Sequence, residues 1–521
     1  MANPGKSGVW RGVALLVVAA AFAVDAVATD AVVDLYPLCP YERKLDGQWQ
    51  GSMVASDGKT YFGSSTHAYD AAGLFFQYDP ATAGVTQIGP DLSTICGEDA
   101  STQVPQGKLH SPIVESNGWL YTSTHLANYW TQAEDAYTGA HLIGYQLGSL
   151  EAGSPVFRDF GIPRTRFSCY SAVGVDPAGE WLWSLATPFA GADSAVTGSH
   201  VYRTNIATGA MTDIGEINPS AHGGACNYFH VDARGDCWMT LLSGGQDKLF
   251  VARAATGAIE SFDHALPTMS HQYIPGAASA YQSQSGWRWG HSVDSERFLF
   301  TMRDSGAPYA DMSGGSVYEF DASKTLDGDL SDAFREVAWV GGTHLGMAYG
   351  ADRVYFVQRS DGSSIPKIDA VGGNGEYWDP AADNGVRHHL CSISVTDPNE
   401  GVRDWGMITD DGGRVPWRLE GASADDNGRV FMTGDWVMKE TDPVEWRTLR
   451  HDGYTSTTYT LHIRGQGMGA FIAALAGDFT VDASIDIDDV EDLWTVLGAT
   501  VGEADEKYDL VADSVIDIND A

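Results

Sequence analysis

A short apolar strand, a turn and a second strand rich in aromatic residues recur seven times along this chain. The copies include GSMVASDGKTYFGSS, SPIVESNGWLYTSTH and NYFHVDARGDCWMTL, and they follow one another every 56 to 61 residues until a last spacing of 76. The equivalent turn positions are Gly58, Gly118, Gly179, Gly235, Glu296, Asp352 and Gly428. Several copies continue into a second hairpin, so each repeat contains about four strands. Repeated four-stranded units predict a seven-bladed β-propeller.

The predicted fold class is therefore all-β, with the propeller over residues 32–465. A strand within Val32–Leu38 is expected to close the ring against the last blade, and the longer last spacing predicts an insertion over about 360–416. The composition agrees, because 60 glycines and 11% aromatic residues favour turns and strands over helices. An open array of hairpins or a pair of sandwiches is the alternative.

The first 28 residues have the pattern of a signal peptide. Lys6 and Arg11 form a basic segment, Val13–Val24 is an apolar run too short to span a bilayer, and Ala26–Ala28 is a small-x-small cleavage site. We therefore expect a secreted protein without a membrane span. The six cysteines could form disulfides in an oxidising compartment, but six cysteines allow 15 pairings and the sequence selects none.

The chain is strongly acidic, with a net charge of −38. Such a chain repels nucleic acid and anionic membranes as a body, so neither is an expected partner. Basic residues gathered in one place therefore need an explanation.

The repeat pattern itself indicates where a site would lie. In a propeller, the inner strand of each blade begins at one mouth of the central channel, and the next strand returns to that mouth. The expected starts of the inner strands are Gln50, His110, Tyr170, Asn227, Arg288, His344 and Glu420. The expected ends of the second strands include His125, Arg303, Arg359 and Asp435. Polar residues at all these positions predict a lined axial pocket.

Arginine and histidine around one mouth of an acidic protein favour a bound anion, since the guanidinium group fits a carboxylate or a sulfate. β-Elimination on a uronate needs these residue types: a cation to neutralise the carboxylate, a base for the C5 proton and an acid for the leaving oxygen. Hydrolysis needs two opposed carboxylates, and the mouth offers only Glu420 and Asp435, on one blade.

The segment GKLHSPIV…GWLYTSTHLANYW, followed by SCYSAVGVDP, resembles the seven-bladed polysaccharide lyases that act on ulvan and related uronate polymers. The resemblance implies that His110, His125 and Tyr170 are catalytic. That family's arginine would stand near Thr187, where this chain has none. The substrate-binding residues are then expected on other blades, and the candidates are Arg288, Arg303, His344 and Arg359.

The sequence thus predicts a secreted lyase that cleaves a uronate-containing and sulfated polysaccharide by β-elimination. The alternative is a non-catalytic propeller that binds an anionic glycan or a protein through the same mouth. A binder would need the arginines but no base, so the pair of His110 and Tyr170 distinguishes the two.

The last 45 residues, 477–521, differ from the repeats and contain two acidic loops 31 residues apart. Their carboxylates suit calcium, and the predicted ligands are Asp478, Asp482, Asp486, Asp489, Asp509, Asp513, Asp517 and Asp520. The segment resembles a type I dockerin, which implies a cohesin-type protein partner. It departs from that pattern at Ala483 and Ser514, where glycine normally makes the turn, and the chain stops before a second helix.

Two groups of residues could hold a structural zinc ion. One contains His222, Cys226, His230 and Cys237, although four-residue steps on an extended strand place side chains roughly 13 Å apart. The other contains His389 and Cys391, which share one strand face in the expected insertion and lack an identified fourth ligand.

Overall fold

The structure is a computed structural model. It describes residues 31–475 except for 46, 49, 67, 69–70, 100–101, 127–136, 170–172, 189–197, 218–227, 242–247, 264, 268–285, 304–312, 326–329, 331, 360–387, 417, 438–443, 451–457 and 465–466. For some residues within strands, mostly after 286, only the backbone is described. The expected signal peptide and the expected calcium loops lie outside the described residues.

The fold is the predicted seven-bladed β-propeller, nearly all-β. Each blade contains a four-stranded antiparallel sheet. The first two strands are β1 (Ala31–Val32) and β2 (Asp34–Pro37); blade 1 contains β3 (Ser52–Val54), β4 (Thr60–Gly63), β5 (Phe75–Asp79) and β6 (Gly84–Gln87), and blade 2 contains β7 (Val114–Ser116), β8 (Trp119–Ser123), β9 (Leu142–Gln146) and β10 (Phe157–Gly161). Strand β11 (Phe167–Ser168) precedes blade 3, which contains β12 (Val173–Val175), β13 (Trp181–Pro188), β14 (Ser199–Asn205) and β15 (Met211–Ile217), and blade 4 contains β16 (His230–Val231), β17 (Cys237–Thr240), β18 (Leu249–Ala252) and β19 (Ile259–Phe262). Blade 5 contains β20 (Trp287–Ser292), β21 (Arg297–Arg303) and β22 (Ser313–Asp321) and shares β23 (Phe334–Gly350) with blade 6, which continues with β24 (Arg353–Arg359), β25 (His388–Ser394) and β26 (Arg403–Thr409); blade 7 contains β27 (Arg418–Ala424), β28 (Arg429–Val437), the added hairpin β29 (Val444–Arg450) and β30 (Thr458–Arg464), and β31 (Gly467–Ala474).

Helical structure within the described residues is limited to one turn of α-helix, α1 (Leu92–Ile95), and two short 3₁₀ segments, Ala322–Thr325 and Pro398–Glu400. Asp91 caps α1 by accepting a hydrogen bond from the backbone N–H of Thr94. No helix in the described part of the chain is long and apolar enough to cross a membrane.

The inner strands of neighbouring blades contact one another around the axis. Contacts join β27 to β3, β7 to β12, β12 to β16, and β23 to both β20 and β27. All seven predicted turn positions lie between the first and second strands of their blades, as the repeat required. The glycine at most of these turns is needed for its backbone angle, since Gly58 and Gly118 have φ values of 78° and 75°.

Aspartates close several of these turns. Asp176 and Asp232 each accept two backbone hydrogen bonds from the residues that follow, and Asp294 and Asp425 do the same. Such side-chain bonds satisfy turn N–H groups that have no strand partner. The recurring Asp therefore serves the turn rather than a ligand.

The chain start closes the ring. Strand β2 pairs antiparallel with β31 and is the outermost strand of blade 7, so the prediction for Val32–Leu38 is confirmed. Strand β1 pairs parallel with β26 and extends blade 6. The predicted insertion over 360–416 was drawn too long, because β25 and β26 are the regular third and fourth strands of blade 6. Residues 360–387 lie outside the described part of the chain.

Hydrophobic side chains fill the seams between blades. Trp238 of blade 4 packs with Trp287, Phe298, Phe300 and Phe320 of blade 5 in an aromatic cluster that is almost fully buried. Trp287 and Trp289 are 0% and 1% exposed, so these tryptophans belong to the core and do not form a sugar-binding surface. Cys96, Cys169 and Cys391 are buried free thiols.

Candidate functional site

The segment that enters blade 2 is seated tightly against blade 1. Leu109 packs where Gly63 leaves space, because a Cβ atom on Gly63 would lie 2.3 Å from the Cβ of Leu109. Lys108, fully buried, forms an antiparallel bridge with His125: each backbone N–H donates to the other's carbonyl, at 3.1 and 2.8 Å. This bridge brings the start of the inner strand and the end of the second strand of blade 2 together.

His110 and His125 consequently form a pair of neighbouring side chains. Their ring centroids are 5.3 Å apart with an edge-to-face angle of 74°, and the two residues are 1% and 0% exposed. Nδ1 of His110 donates to Oε1 of Gln50 at 3.2 Å, because an amide oxygen can only accept. In neutral His110, Nε2 is therefore the basic nitrogen.

The other imidazole is held by the strand that leads into blade 3. Nδ1 of His125 hydrogen-bonds Oγ of Ser168, and the hydroxyls of Ser111 and Ser123 donate to the carbonyl of Cys169 at 3.2 and 3.1 Å. These bonds fix the chain next to the histidine pair just before Tyr170. Tyr170 itself lies outside the described residues, so its part in the site stays a prediction.

The four predicted substrate-binding residues lie within strands of blades 5 and 6, away from the turns between the first and second strands. Arg303 and His344 are both paired in register with Ser313, and Arg359 is paired with His388. Arg288 occupies a bulge of β20. The side chains of Arg288, Arg303, His344 and Arg359 lie outside the described structure, so their contacts are untested.

A buried polar network lies behind the histidine pair. Gln106 donates to both carboxylate oxygens of Glu98 at 3.1 Å and accepts from Thr124 and Tyr137. Nε2 of His141 lies 3.2 Å from Glu98. Glu98 and Gln106 thereby connect the segment before blade 2 to the residue that precedes His125.

His141 is a charged structural residue. Its Nδ1 bonds Asp159 at 2.9 Å, while its Nε2 faces Glu98. Burial alone would lower the pKa of His141, but hydrogen bonds with Asp159, Cys96 and Glu98 raise this pKa to about 12. The ring is therefore an imidazolium at neutral pH and is unsuited to proton transfer there.

The described zinc candidates do not assemble a metal site. His230 hydrogen-bonds Ser292 at 3.1 Å and is a core residue of blade 4, and burial lowers its pKa to about 4. His389 bonds Asp404 at 2.9 Å, and Cys391 is a buried thiol within a regular strand of blade 6, not in an insertion. Among the described residues, no group of three or more His, Cys, Asp and Glu side chains could hold a metal ion. His222 and Cys226 lie outside the described residues.

Three buried residues of the mouth received no role from the sequence: Gln48, Gln50 and Lys108. Gln48 and Gln50 of blade 1 lie 60 residues before Lys108 and His110 of blade 2. Gly47 and Ser65 form a bridge in blade 1 like that of Lys108 and His125 in blade 2, with Gly47 rather than Gln48 in the place of Lys108. The repeat pattern located Gln50 but gave no sign of its bond to His110.

Comparison with known proteins finds only distant structural similarity. No family model matches the chain, and no curated protein matches it significantly. An oligogalacturonate lyase in complex with manganese is 11% identical, with a TM-score of 0.44 over 86% of this chain and 97% of that chain. A second oligogalacturonate lyase, from Vibrio parahaemolyticus, is 9% identical, with a TM-score of 0.40 over 86% and 92%. A chain of the mitotic checkpoint complex is 9% identical, with a TM-score of 0.41 over 83% and 95%. At these identities and scores the likeness carries nothing about activity.

Proposed function

We propose that this propeller is a polysaccharide lyase that cleaves a uronate-containing, sulfated polysaccharide by β-elimination. The observation that supports the proposal most is the buried pair of His110 and His125, whose rings are 5.3 Å apart. Each ring has one nitrogen held by a neighbouring side chain, Gln50 or Ser168. These bonds orient both rings, and the amide oxygen of Gln50 also defines the tautomer of His110. General acid–base catalysis requires such positioning.

In the proposed reaction, a base removes the proton at C5 of the uronate, and the electron pair forms the double bond between C4 and C5. The C4–O bond then breaks, and the glycosidic oxygen leaves with its electron pair and accepts a proton from an acid. His110 and Tyr170 are the proposed proton-transfer pair, and His125 positions the substrate or acts as the acid. The product carries an unsaturated uronide at its new non-reducing end.

The uronate carboxylate needs a partner that stabilises the developing enolate. We propose that one of Arg288, Arg303 and Arg359 supplies it, with His344 as a further substrate-binding residue. These residues lie on strands of blades 5 and 6.

Secretion and the C-terminal module belong to the same proposal. We propose export by residues 1–28, calcium binding by the loops of 477–521 and, through that module, docking to a cohesin-type protein. These proposals are supported by the sequence pattern alone. Calorimetry on the full-length protein and on a variant truncated after Leu475 tests the calcium sites. Equal heats of binding for the two proteins with millimolar calcium would contradict the proposed calcium sites.

The decisive experiment is an ultraviolet assay for the conjugated double bond, run with galacturonan, glucuronan, alginate and ulvan. Tyr170→Phe and His110→Ala should retain the fold and lose about 10²- to 10⁴-fold in rate, the usual contribution of one acid–base group. His200→Ala is the matched control, because His200 is an imidazole on the third strand of blade 3 that bonds Asp213 and does not belong to the histidine pair. Saturated products, or full activity of Tyr170→Phe, would rule out the lyase.

One observation favours the alternative, a non-catalytic propeller that binds an anionic glycan. Both imidazoles are at least 99% buried, and a base must reach the substrate's proton. Binding of one of the four polymers by the unmodified protein, with no double bond formed on prolonged incubation, would identify the protein as a binder.

A further inference from the structure

Two buried glutamines, Gln48 and Gln50, lie just before the inner strand of blade 1, and each has only half of its amide satisfied. Gln48 and Gln50 are 3% and 4% exposed. The amide nitrogen of each has no hydrogen-bond partner among the described residues. Burying an amide N–H₂ group without an acceptor is costly, so such groups are rare in folded proteins.

The oxygens of both amides are held, and this fixes where the nitrogens lie. Oε1 of Gln50 accepts from His110 at 3.2 Å, and Oε1 of Gln48 accepts from the hydroxyl of Thr433 on blade 7. Space for Gln48 comes from Gly421 on the inner strand of blade 7, where a Cβ atom would lie 1.5 Å from Oε1. The two side chains are therefore built into the seams on either side of blade 1.

We propose that Gln48 and Gln50, one in each seam of blade 1, form a subsite whose amide groups donate hydrogen bonds to anionic oxygens of an acidic sugar. Amide N–H₂ groups only donate, and an oxyanion gives the strongest acceptor for them. Gln50 contacts His110, so the bound group would lie next to the proposed base. This inference rests on the proposed function, and it specifies that acidic-sugar recognition at blade 1 uses neutral amides.

A carboxylate and a sulfate present the same acceptor chemistry, and modified polymers separate them. The probes are galacturonan, glucuronan, alginate and ulvan, each also in carboxyl-reduced form, and ulvan also in desulfated form. Gln50→Leu should weaken binding of the native polymer by about 10- to 100-fold, the effect expected for one hydrogen bond to a charged group. Gln48→Leu should weaken it in the same direction.

Gln50→Glu is the second variant, in case Gln50→Leu does not fold. It keeps the shape and an acceptor oxygen for His110, but it replaces the donor with a negative charge. Repulsion should weaken binding of the acidic polymer more than Gln50→Leu does. Gln77→Leu is the control, since Gln77 is a buried glutamine of the same blade, 5% exposed. Its Oε1 also has no hydrogen-bond partner among the described residues, but its Nε2 donates to Glu151 and not to a residue near the histidine pair.

The subsite is supported if the difference in affinity between the unmodified protein and Gln50→Leu disappears on the carboxyl-reduced or on the desulfated polymer. The modified polymer on which this difference disappears shows whether the bound anionic group is the carboxylate or the sulfate. The subsite is wrong if the difference persists on both, if Gln50→Leu and Gln50→Glu bind as tightly as Gln77→Leu, or if the unmodified protein binds none of the polymers. Tight binding with saturated or no products contradicts the lyase proposal and leaves the subsite standing.

Discussion

The seam between blades 1 and 2 and the seam between blades 4 and 5 are filled by opposite means. In the first, an apolar cluster is topped by a buried polar network in which His141 joins Glu98 and Asp159. In the second, Trp238 and Trp287 pack with three phenylalanines. The polar seam lies directly behind the histidine pair, to which Thr124 and Gln106 connect it. The aromatic seam is a cluster of apolar side chains.

The contrast shows how a ring of similar blades can separate stability from a site. Aromatic packing is tolerant of charge and pH, and it depends on shape and buried area. A buried polar network holds its members in one arrangement, but it depends on every partner and on protonation. We infer that blades 4 and 5 contribute mainly to the stability of the ring, and that the network at blades 1 and 2 fixes the geometry of the mouth.

The largest expected effect is on the aromatic seam. Trp287→Ala removes a fully buried ring that lies 4.5 Å from Phe298 and 5.6 Å from Phe300, measured between ring centroids. The cavity and the lost contacts should lower the free energy of unfolding by about 3–5 kcal/mol. Urea unfolding followed by circular dichroism measures this change. A fall in unfolding free energy of less than about 1 kcal/mol would mean that this seam does not make the main contribution to the stability of the ring.

A smaller loss is expected when one charge is removed from the polar seam. Glu98→Gln keeps the shape of the side chain but removes the charge that His141, Gln106 and Thr138 contact. Hydrogen bonds to charged groups are worth about 1.5–3 kcal/mol, so the free energy of unfolding should fall by about 2 kcal/mol.

Glu216→Gln is the control for this experiment, because Glu216 is an exposed residue of β15. A surface substitution of this kind should stay within about 0.5 kcal/mol of the unmodified protein. Equal stabilities of the two variants would show that the buried network makes no net contribution.

The aromatic seam and the blades could be predicted from sequence, whereas the polar seam could not. Turn residues such as Gly118 and the alternation of strands such as Trp119–Ser123 are local signals, and they repeat. Closure by Val32–Leu38 followed from the need to complete the last blade. Blade 6 was misjudged because residues 360–387 separate its second and third strands, and this interrupts the period.

The site could be located but not built from the sequence. Counting from the turns predicted that His110, His125 and Gln50 share one end of the ring, and the structure brings these three side chains together. The bonds of Gln50 to His110 and of His141 to Glu98 join residues 60 and 43 positions apart. No period in the sequence encodes such pairs, because they depend on how two blades meet.

The polar seam should also make stability depend on pH. His141 has a pKa raised to about 12 in the folded protein, against about 6.5 in an unfolded chain. Between these values the folded state holds the extra proton, so the stabilisation is complete below about 6.5 and is lost as the pH rises towards 12. The slope is at most about 1.4 kcal/mol per pH unit.

His141→Gln should flatten the dependence of unfolding free energy on pH between about 7 and 9. His230→Gln is the contrasting variant. Burial lowers the pKa of His230 to about 4, so its contribution is complete above about 6.5 and is lost only as the pH falls towards 4. An unchanged slope in His141→Gln, or a slope that His230→Gln also flattens, would contradict the assignment of the alkaline dependence to the polar seam.

The smallest expected effect is a change of shape without a change of charge in the aromatic seam. Phe300→Leu leaves an apolar side chain against Trp287 and Phe334, where Phe300 is fully buried. Repacking should hold the loss of unfolding free energy to about 1 kcal/mol. The pH dependence between about 7 and 9 should stay that of the unmodified protein, because the titratable ring that stacks on Phe300, Tyr318, has a pKa that burial raises above its ordinary value of 10. A loss as large as that of Glu98→Gln, or a changed alkaline slope, would show that the two seams are coupled through the ring and that stability and site geometry are not divided between them.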